Sequence, residues 1–92
     1  MDKIESVKIA TFVKKKKSQV LKDRGNEAFQ NKEFEIAEKC YSEAIDHNPG
    51  LITLWTNRAI CRNAMKKHDE AIDDCDTALS IDSKFEKVTL KI

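Results

Sequence analysis

Proline and glycine are nearly missing from this chain: 92 residues hold one proline and two glycines. Sheet proteins built on many tight turns need more of both, so the scarcity points to helices. Cys-x-x-Cys pairs are absent. The three cysteines, Cys40, Cys61 and Cys75, are odd in number and widely spaced, and no signal peptide is read ahead of them. This argues against a disulfide scaffold and for a reducing, cytoplasmic setting. Long hydrophobic runs are missing too. The longest uncharged stretch, Asn48 to Asn57, contains Pro49 and Gly50 and falls far short of the roughly 18 apolar residues of a membrane span. An excess of one charge is also lacking, since 17 basic residues face 16 acidic ones for a net +1. A uniformly basic nucleic-acid module and an acidic tail are both disfavoured.

What is present is a folded composition, 40% hydrophobic against 36% charged, in a chain sized for one small domain. A domain of this length buries about 60–65% of its unfolded surface, so its core is thin. Charge is unevenly placed. Residues 1–17 carry six lysines against Asp2 and Glu5, a charge of +4, and the other 75 residues carry eleven basic and fourteen acidic groups, −3. The arm can be helical, with Ile4, Val7, Thr11 and Phe12 near one face and Ile9 and Val13 off it. Its run Lys14 to Lys17 reads first as a solvated lead-in, and secondarily as a nuclear-entry or anion-contact signal.

The body breaks at few places. Helical periodicity runs from about Ser18 to Asn31 and from Phe34 or Glu35 to Asp46. His47-Asn48-Pro49-Gly50 is the strongest stop signal in the chain. A third helix is expected from Ile52 to Met65 and a fourth from Asp69 to Ser80. Asp82-Ser83 reads as another break, with Ser83 capping a terminal helix from about Lys84. In the acidic string Asp69 to Asp76, Asp69 and Glu70 suit a first helical turn, and Asp73, Asp74 and Asp76 are expected on the solvent side.

At an offset of 34 residues the body repeats. Leu21 meets Trp55, Arg24 meets Arg58, Gly25 meets Ala59, Ala37 meets Ala71, and Ala44 meets Ala78. Small residues thus recur where two antiparallel helices must approach, and Leu21, Phe29, Tyr41 and Trp55 fill the space between. A repeated helix pair is the pattern of a helical solenoid. The fold class is therefore all-α: two helix-pair units plus a short C-terminal helix.

These residues resemble the tetratricopeptide repeat family. The first repeat spans 18–51, with Leu21, Gly25, Ala37, Tyr41, Ala44 and Pro49 in the characteristic places. The second spans 52–85, with Trp55, Ala59, Ala71 and Ala78. A partial third occupies 86–92, and residues 1–17 form the arm. The departures are Arg24 and Arg58 where a leucine is usual, Ser83 for the usual proline, and His68 for the aromatic represented by Phe34.

The stretches Lys22 to Phe29 and Trp55 to Ala59 are similar to the co-chaperone subclass of that family. That resemblance implies a carboxylate clamp on the concave groove, made by Lys22 and Asn26, by Asn57, and by Lys87 and Lys91, the last being arginine in most members. Lys22 and Asn26 are four apart and share a helix face, as do Lys87 and Lys91. Asparagine is disfavoured inside helices, which makes Asn26 and Asn57 more informative than the lysines. Ammonium and amide groups together suit the paired carboxylates of a C-terminal aspartate. The implied partner is the acidic C-terminal tail of heat shock chaperones, ending Glu-Glu-Val-Asp. The alternative is a structural or assembly module that binds another protein segment or self-associates through the arm or the C-terminal end. Ile60, Asn63 and Ala64 are candidates to shape the groove. No cofactor or metal is implied: Cys40, Cys75, His47 and His68 are too scattered for a zinc signature. Without a phosphate loop or a turn exposing a nucleophile, catalysis is not expected.

Overall fold

Four helices follow one another along the chain: α1 Lys3–Gln30, α2 Phe34–His47, α3 Ile52–Ala64 and α4 His68–Leu90. The structure is a computed structural model that describes the backbone of residues 3–90 and the side chains of residues 6–82. α1 pairs with α2 and α3 with α4, and α2 packs on α3, so the stack is built in chain order. Among the described residues α1 and α4 do not touch. No helix there is long and apolar enough to cross a membrane.

The two hairpin turns are built alike, 34 residues apart. At the first, the Glu33 N–H donates to the Ala28 carbonyl at 2.9 Å and the Lys32 N–H to Phe29 at 3.0 Å. At the second, Lys67 donates to Arg62 at 2.8 Å and Lys66 to Asn63 at 3.0 Å. Each is the six-to-one closure that ends a helix through a left-handed residue. That residue is a lysine both times, Lys32 at φ 62° and Lys66 at φ 65°.

The junction between the pairs is opened by Pro49, which cannot donate to a helix and pushes Asn48 out of the helical region. Asn48 has φ −148° and ψ 74°. The Trp55 indole N–H donates to the Pro49 carbonyl at 2.7 Å and ties α3 to the turn.

Two expectations about helix ends change. The arm is helical, but it is no separate element: α1 runs from Lys3 straight through Ser18, whose hydroxyl donates to Lys15 at 2.8 Å. The break expected at Asp82-Ser83 does not occur, since α4 continues to Leu90. Serine keeps its N–H and restricts nothing before it, so the position that stops the first repeat with Pro49 leaves the second free to continue.

The core is small and rich in alanine. Ala28, Ala37, Tyr41 and Cys61 form one buried cluster, flanked by Phe29, Phe34 and Met65. Ala44, Ile45 and Leu54 form a second, flanked by Leu21, Leu51 and Trp55. Phe29 and Phe34 meet edge to face, centroids 5.4 Å apart, and the Cys61 thiol donates to the Phe34 carbonyl at 3.0 Å. Burial pushes the Cys61 thiol up, and the nearby Glu38 charge adds to the shift. Alanines at the crossings bring helix axes close, which is how so short a chain encloses a core.

Candidate peptide-binding groove

Asn26 of α1 and Asn57 of α3 stand side by side although 31 residues separate them. The Asn57 Nδ2 donates to the Asn26 Oδ1 at 3.2 Å. The same oxygen accepts the Tyr41 hydroxyl at 2.6 Å. With its acceptor occupied twice, Asn26 keeps two amide N–H donors that make no bond within the described residues. Together with Phe29, Gln30, Tyr41 and Ile60, the two asparagines line an open hollow of about 190 Å³.

Tyr41 sets this geometry from α2. Its ring lies against Gly25, where a Cβ would stand 2.6 Å from Cε1. Burial, with smaller contributions from Cys61 and Cys40, pushes its phenol up to about 12. The hydroxyl therefore stays a donor at any ordinary pH, and Asn26 stays oriented.

Lys22 lies one turn before Asn26 on α1, half-buried. Its ammonium has no ion pair or hydrogen bond among the described residues. Lys22, Asn26 and Asn57 are thus on one connected surface of α1 and α3. Lys87 falls on the backbone of α4, with its side chain outside the described residues, and Lys91 lies outside them altogether. Ile60 lines the hollow as expected. Asn63 instead bonds His68 across the turn at 2.8 Å, and Ala64 is exposed.

A charged network behind the groove fixes α3, and with it Asn57. The Arg58 guanidinium donates to both Asp74 oxygens, at 3.0 and 2.7 Å, and to the Ser42 hydroxyl at 3.0 Å. It also lies over the Trp55 ring, 5.1 Å from the centroid. Arg62 reaches Asp74 at 3.0 Å and Glu38 at 2.9 Å, and Lys67 adds a bond to Glu38 at 3.1 Å. Burial acts to raise the pKa of Glu38, but the hydrogen bonds and charges of Arg62 and Lys67 win, and it ends below its ordinary value. In Arg62 burial opposes the charge, and the bond from Glu38 with the charges of Asp74, Glu38 and Glu70 outweighs it, so its pKa rises.

Asp74 corrects an expectation. It does not face solvent: its side chain is 2% exposed and joins α3 to α4, while Asp73 and Asp76 do face solvent. Arg58 replaces a leucine in the pattern because it serves this carboxylate with two parallel bonds, which an apolar residue cannot.

Sequence reasoning treated Tyr41 as a space filler and left Phe29, Gln30 and the Glu38–Arg62 pair out of the site. One signal for Tyr41 was available. It is the only tyrosine, and a buried phenol needs a partner within reach.

Residues 18–51 and 52–85 each match the tetratricopeptide repeat, and together they make up most of the chain. The chain belongs to the tetratricopeptide repeat family. Such repeats are protein-interaction modules, not catalytic ones. Over 76 residues, 83% of this chain, it is 36% identical to stress-induced-phosphoprotein 1 of Caenorhabditis elegans and covers 24% of that protein. It is 38% identical over 71 residues to small glutamine-rich tetratricopeptide repeat-containing protein 2 of Saccharomyces cerevisiae, covering 20% of it. The chain thus spans a quarter or less of these relatives. Among solved structures it resembles the first TPR of Spaghetti (RPAP3) bound to HSP90 peptide SRMEEVD, at TM-score 0.74 and 33% identity over 75% of this chain and 55% of that one. It also resembles the N-terminal domain of stress-induced protein-1 from C. elegans, at TM-score 0.74 and 30% identity over 79% of this chain and 57% of that one.

Proposed function

We propose that this tetratricopeptide repeat chain is a co-chaperone-like adaptor that takes the acidic C-terminal tail of a heat shock chaperone in its groove. The observation that carries this reading is the Asn26–Tyr41–Asn57 cluster. It holds the Asn26 oxygen in place and leaves the Asn26 amide donors unused, one helical turn from the uncommitted Lys22 ammonium. A C-terminal aspartate offers two carboxylates within a few ångströms, one on its side chain and one at the chain end. Amide N–H groups give direction to one, and lysine gives charge-assisted bonds to the other. The solved relative bound to an HSP90 peptide supports the reading, because that peptide ends in Glu-Glu-Val-Asp. In this reading the clamp rests on Lys22, Asn26 and Asn57; Lys87, which the resemblance assigns to a separate third-repeat helix, lies on the continuation of α4.

Calorimetric titration tests it. A peptide ending Glu-Glu-Val-Asp should bind, and its C-terminal amide should bind at least about tenfold more weakly, a loss of roughly 1.4 kcal/mol. Lys22→Ala and Asn57→Ala should each weaken the free-acid peptide by a similar factor. Equal binding of acid and amide would leave the module to its alternative role, holding another protein segment.

A further inference from the structure

Two exposed apolar stripes lie on the first and last helices of the stack, and they carry opposite charge. The first is on α1. Along the continuous α1 helix Phe12 groups with Ile9, Val13 and Val20, not with Val7 and Thr11 as the sequence reading expected; all four are exposed, Phe12 by 65%. Lys16 lies on the same line. Farther along, Lys16, Lys17, Val20, Leu21, Arg24 and His47 surround an open hollow of about 320 Å³. Asp23 closes the stripe, its carboxylate taken by the Gln19 amide at 3.1 Å.

The second stripe is on α4. Ile72, Cys75 and Leu79 follow one another at three and four residues, and Ile60 of α3 stands beside them. Ile60 and Ile72 are each 57% exposed and Leu79 64%. Between α3 and α4 lies a hollow of about 460 Å³, with Ile60, Ile72 and Cys75 on its wall. Asp69, Asp73 and Asp76 flank this stripe and are exposed. Neither these aspartates nor Lys16, Lys17 and Arg24 form an ion pair among the described residues. Because α1 and α4 do not touch, one chain cannot bring its own two stripes together.

We propose that the lysine-flanked stripe of α1 in one copy packs on the aspartate-flanked α3–α4 face of a second copy, head to tail. Apolar stripe meets apolar stripe, and Lys16, Lys17 and Arg24 come opposite Asp69, Asp73 and Asp76. From Ser6 to Lys17 every side chain is exposed, so the stripe is open to a second copy. Each added copy presents a fresh stripe, so the association is heterologous and grows without closing. Lys22, Asn26 and Asn57 belong to neither patch, although Ile60 borders both the groove and the α3–α4 face, so tail binding is read at Lys22 and Asn57 and self-association at the charged flanks.

Sedimentation equilibrium of the whole chain from ~10 µM to ~1 mM is the test. The mean mass should rise past a dimer at low salt and fall back at high salt, as screened charges require. Lys16→Glu with Lys17→Glu should lower the association constant about tenfold or more, and Asp73→Lys with Asp76→Lys should do the same. An equimolar mixture of the two double variants should regain it, since each restores the other's opposite charge. Phe12→Ser, at an exposed site that cannot disturb the core, should weaken association with unchanged circular dichroism. Lys22→Ala should associate like the parent. A chain that stays monomeric throughout, a dimer indifferent to both charge reversals, or a mixture that remains dissociated would each overturn the proposal.

Discussion

The ring of Tyr41 occupies the space that any side chain at Gly25 would need: a Cβ there meets Cε1 at 2.6 Å and Cδ1 at 2.8 Å. Gly25→Ala improves helix propensity by about 1 kcal/mol. It also drives a methyl into a buried aromatic ring, and overpacking of that kind costs about 1–3 kcal/mol. The ring has no free end to swing aside, so the net effect is a loss of stability of about 1 kcal/mol by urea denaturation. Gly50→Ala is the control. Nothing stands within 4 Å of its Cβ, and alanine there should be neutral or stabilising by up to about 1 kcal/mol.

Tyr41 is the only tyrosine, so phenolate absorbance reports it without interference. Its folded-state pKa is raised to about 12 from 10.0. The unfolded chain therefore ionises first, and the stability that the buried phenol contributes is intact below pH 10 and lost between 10 and 12. An absorbance titration should give a midpoint near 12 while the fold persists, with alkaline unfolding in the same window. Tyr41→Phe should leave the Asn26 oxygen with only its Asn57 partner, cost about 0.5–1.5 kcal/mol, and weaken binding of an acidic tail peptide.

The helix pairs were legible because their signals are local or periodic. The 34-residue offset, the small residues at Gly25, Ala37, Ala59 and Ala71, and the stop at Pro49 each follow from neighbours in the chain. Asp82-Ser83 misled because turn-favouring residues permit a break without enforcing one, as proline does. Asp74 was misread for another reason. An aspartate in an acidic run looks solvated unless its partners are known, and Arg58 and Arg62 lie sixteen and twelve residues away on another helix. Asn26 and Asn57 were legible as a pair only through resemblance. The bond between them, and the Tyr41 hydroxyl that orients it, are tertiary facts.

Asp74→Ala should be the most damaging single change in this network. It removes the carboxylate shared by Arg58 and Arg62 and leaves two half-buried guanidiniums short of a partner. Breaking a buried pair from one side costs about 3–5 kcal/mol, a large part of what a chain this small has to spare. Glu70→Ala removes a more distant, 54%-exposed partner of Arg62 at 3.6 Å, and surface pairs of that kind contribute about 0–1 kcal/mol. Thermal denaturation of the two variants should therefore separate them widely.

Glu38 gives the network a pH signature. Its folded-state pKa lies below the ordinary 4.5, so the unfolded chain takes up a proton first as pH falls. The stability that Glu38 contributes is present above about pH 4.5 and is lost as pH drops through its folded-state value. Denaturant midpoints for the parent should be level near neutrality and decline on acidification below that point. Glu38→Gln should start lower at neutral pH and show a shallower decline. Equal slopes for parent and variant would place the acid sensitivity elsewhere.

Lys32 and Lys66 both sit at positive φ, 62° and 65°, at equivalent places in the two hairpins. Their side chains have no hydrogen bond or ion pair among the described residues, so each position asks only for a backbone that tolerates the left-handed region. A side chain there costs roughly 1–2 kcal/mol. Glycine removes that strain but loses more chain entropy on folding, about 0.5–1 kcal/mol. The difference favours Lys32→Gly and Lys66→Gly by about 0.5–1 kcal/mol each. The two turns lie in separate repeats and share no contact through these side chains, so the double variant should gain the sum of the two. Urea midpoints of the four proteins measure both the sign and the additivity. A loss on either substitution would mean that the lysine stem packs on its hairpin strongly enough to outweigh the strain of its backbone.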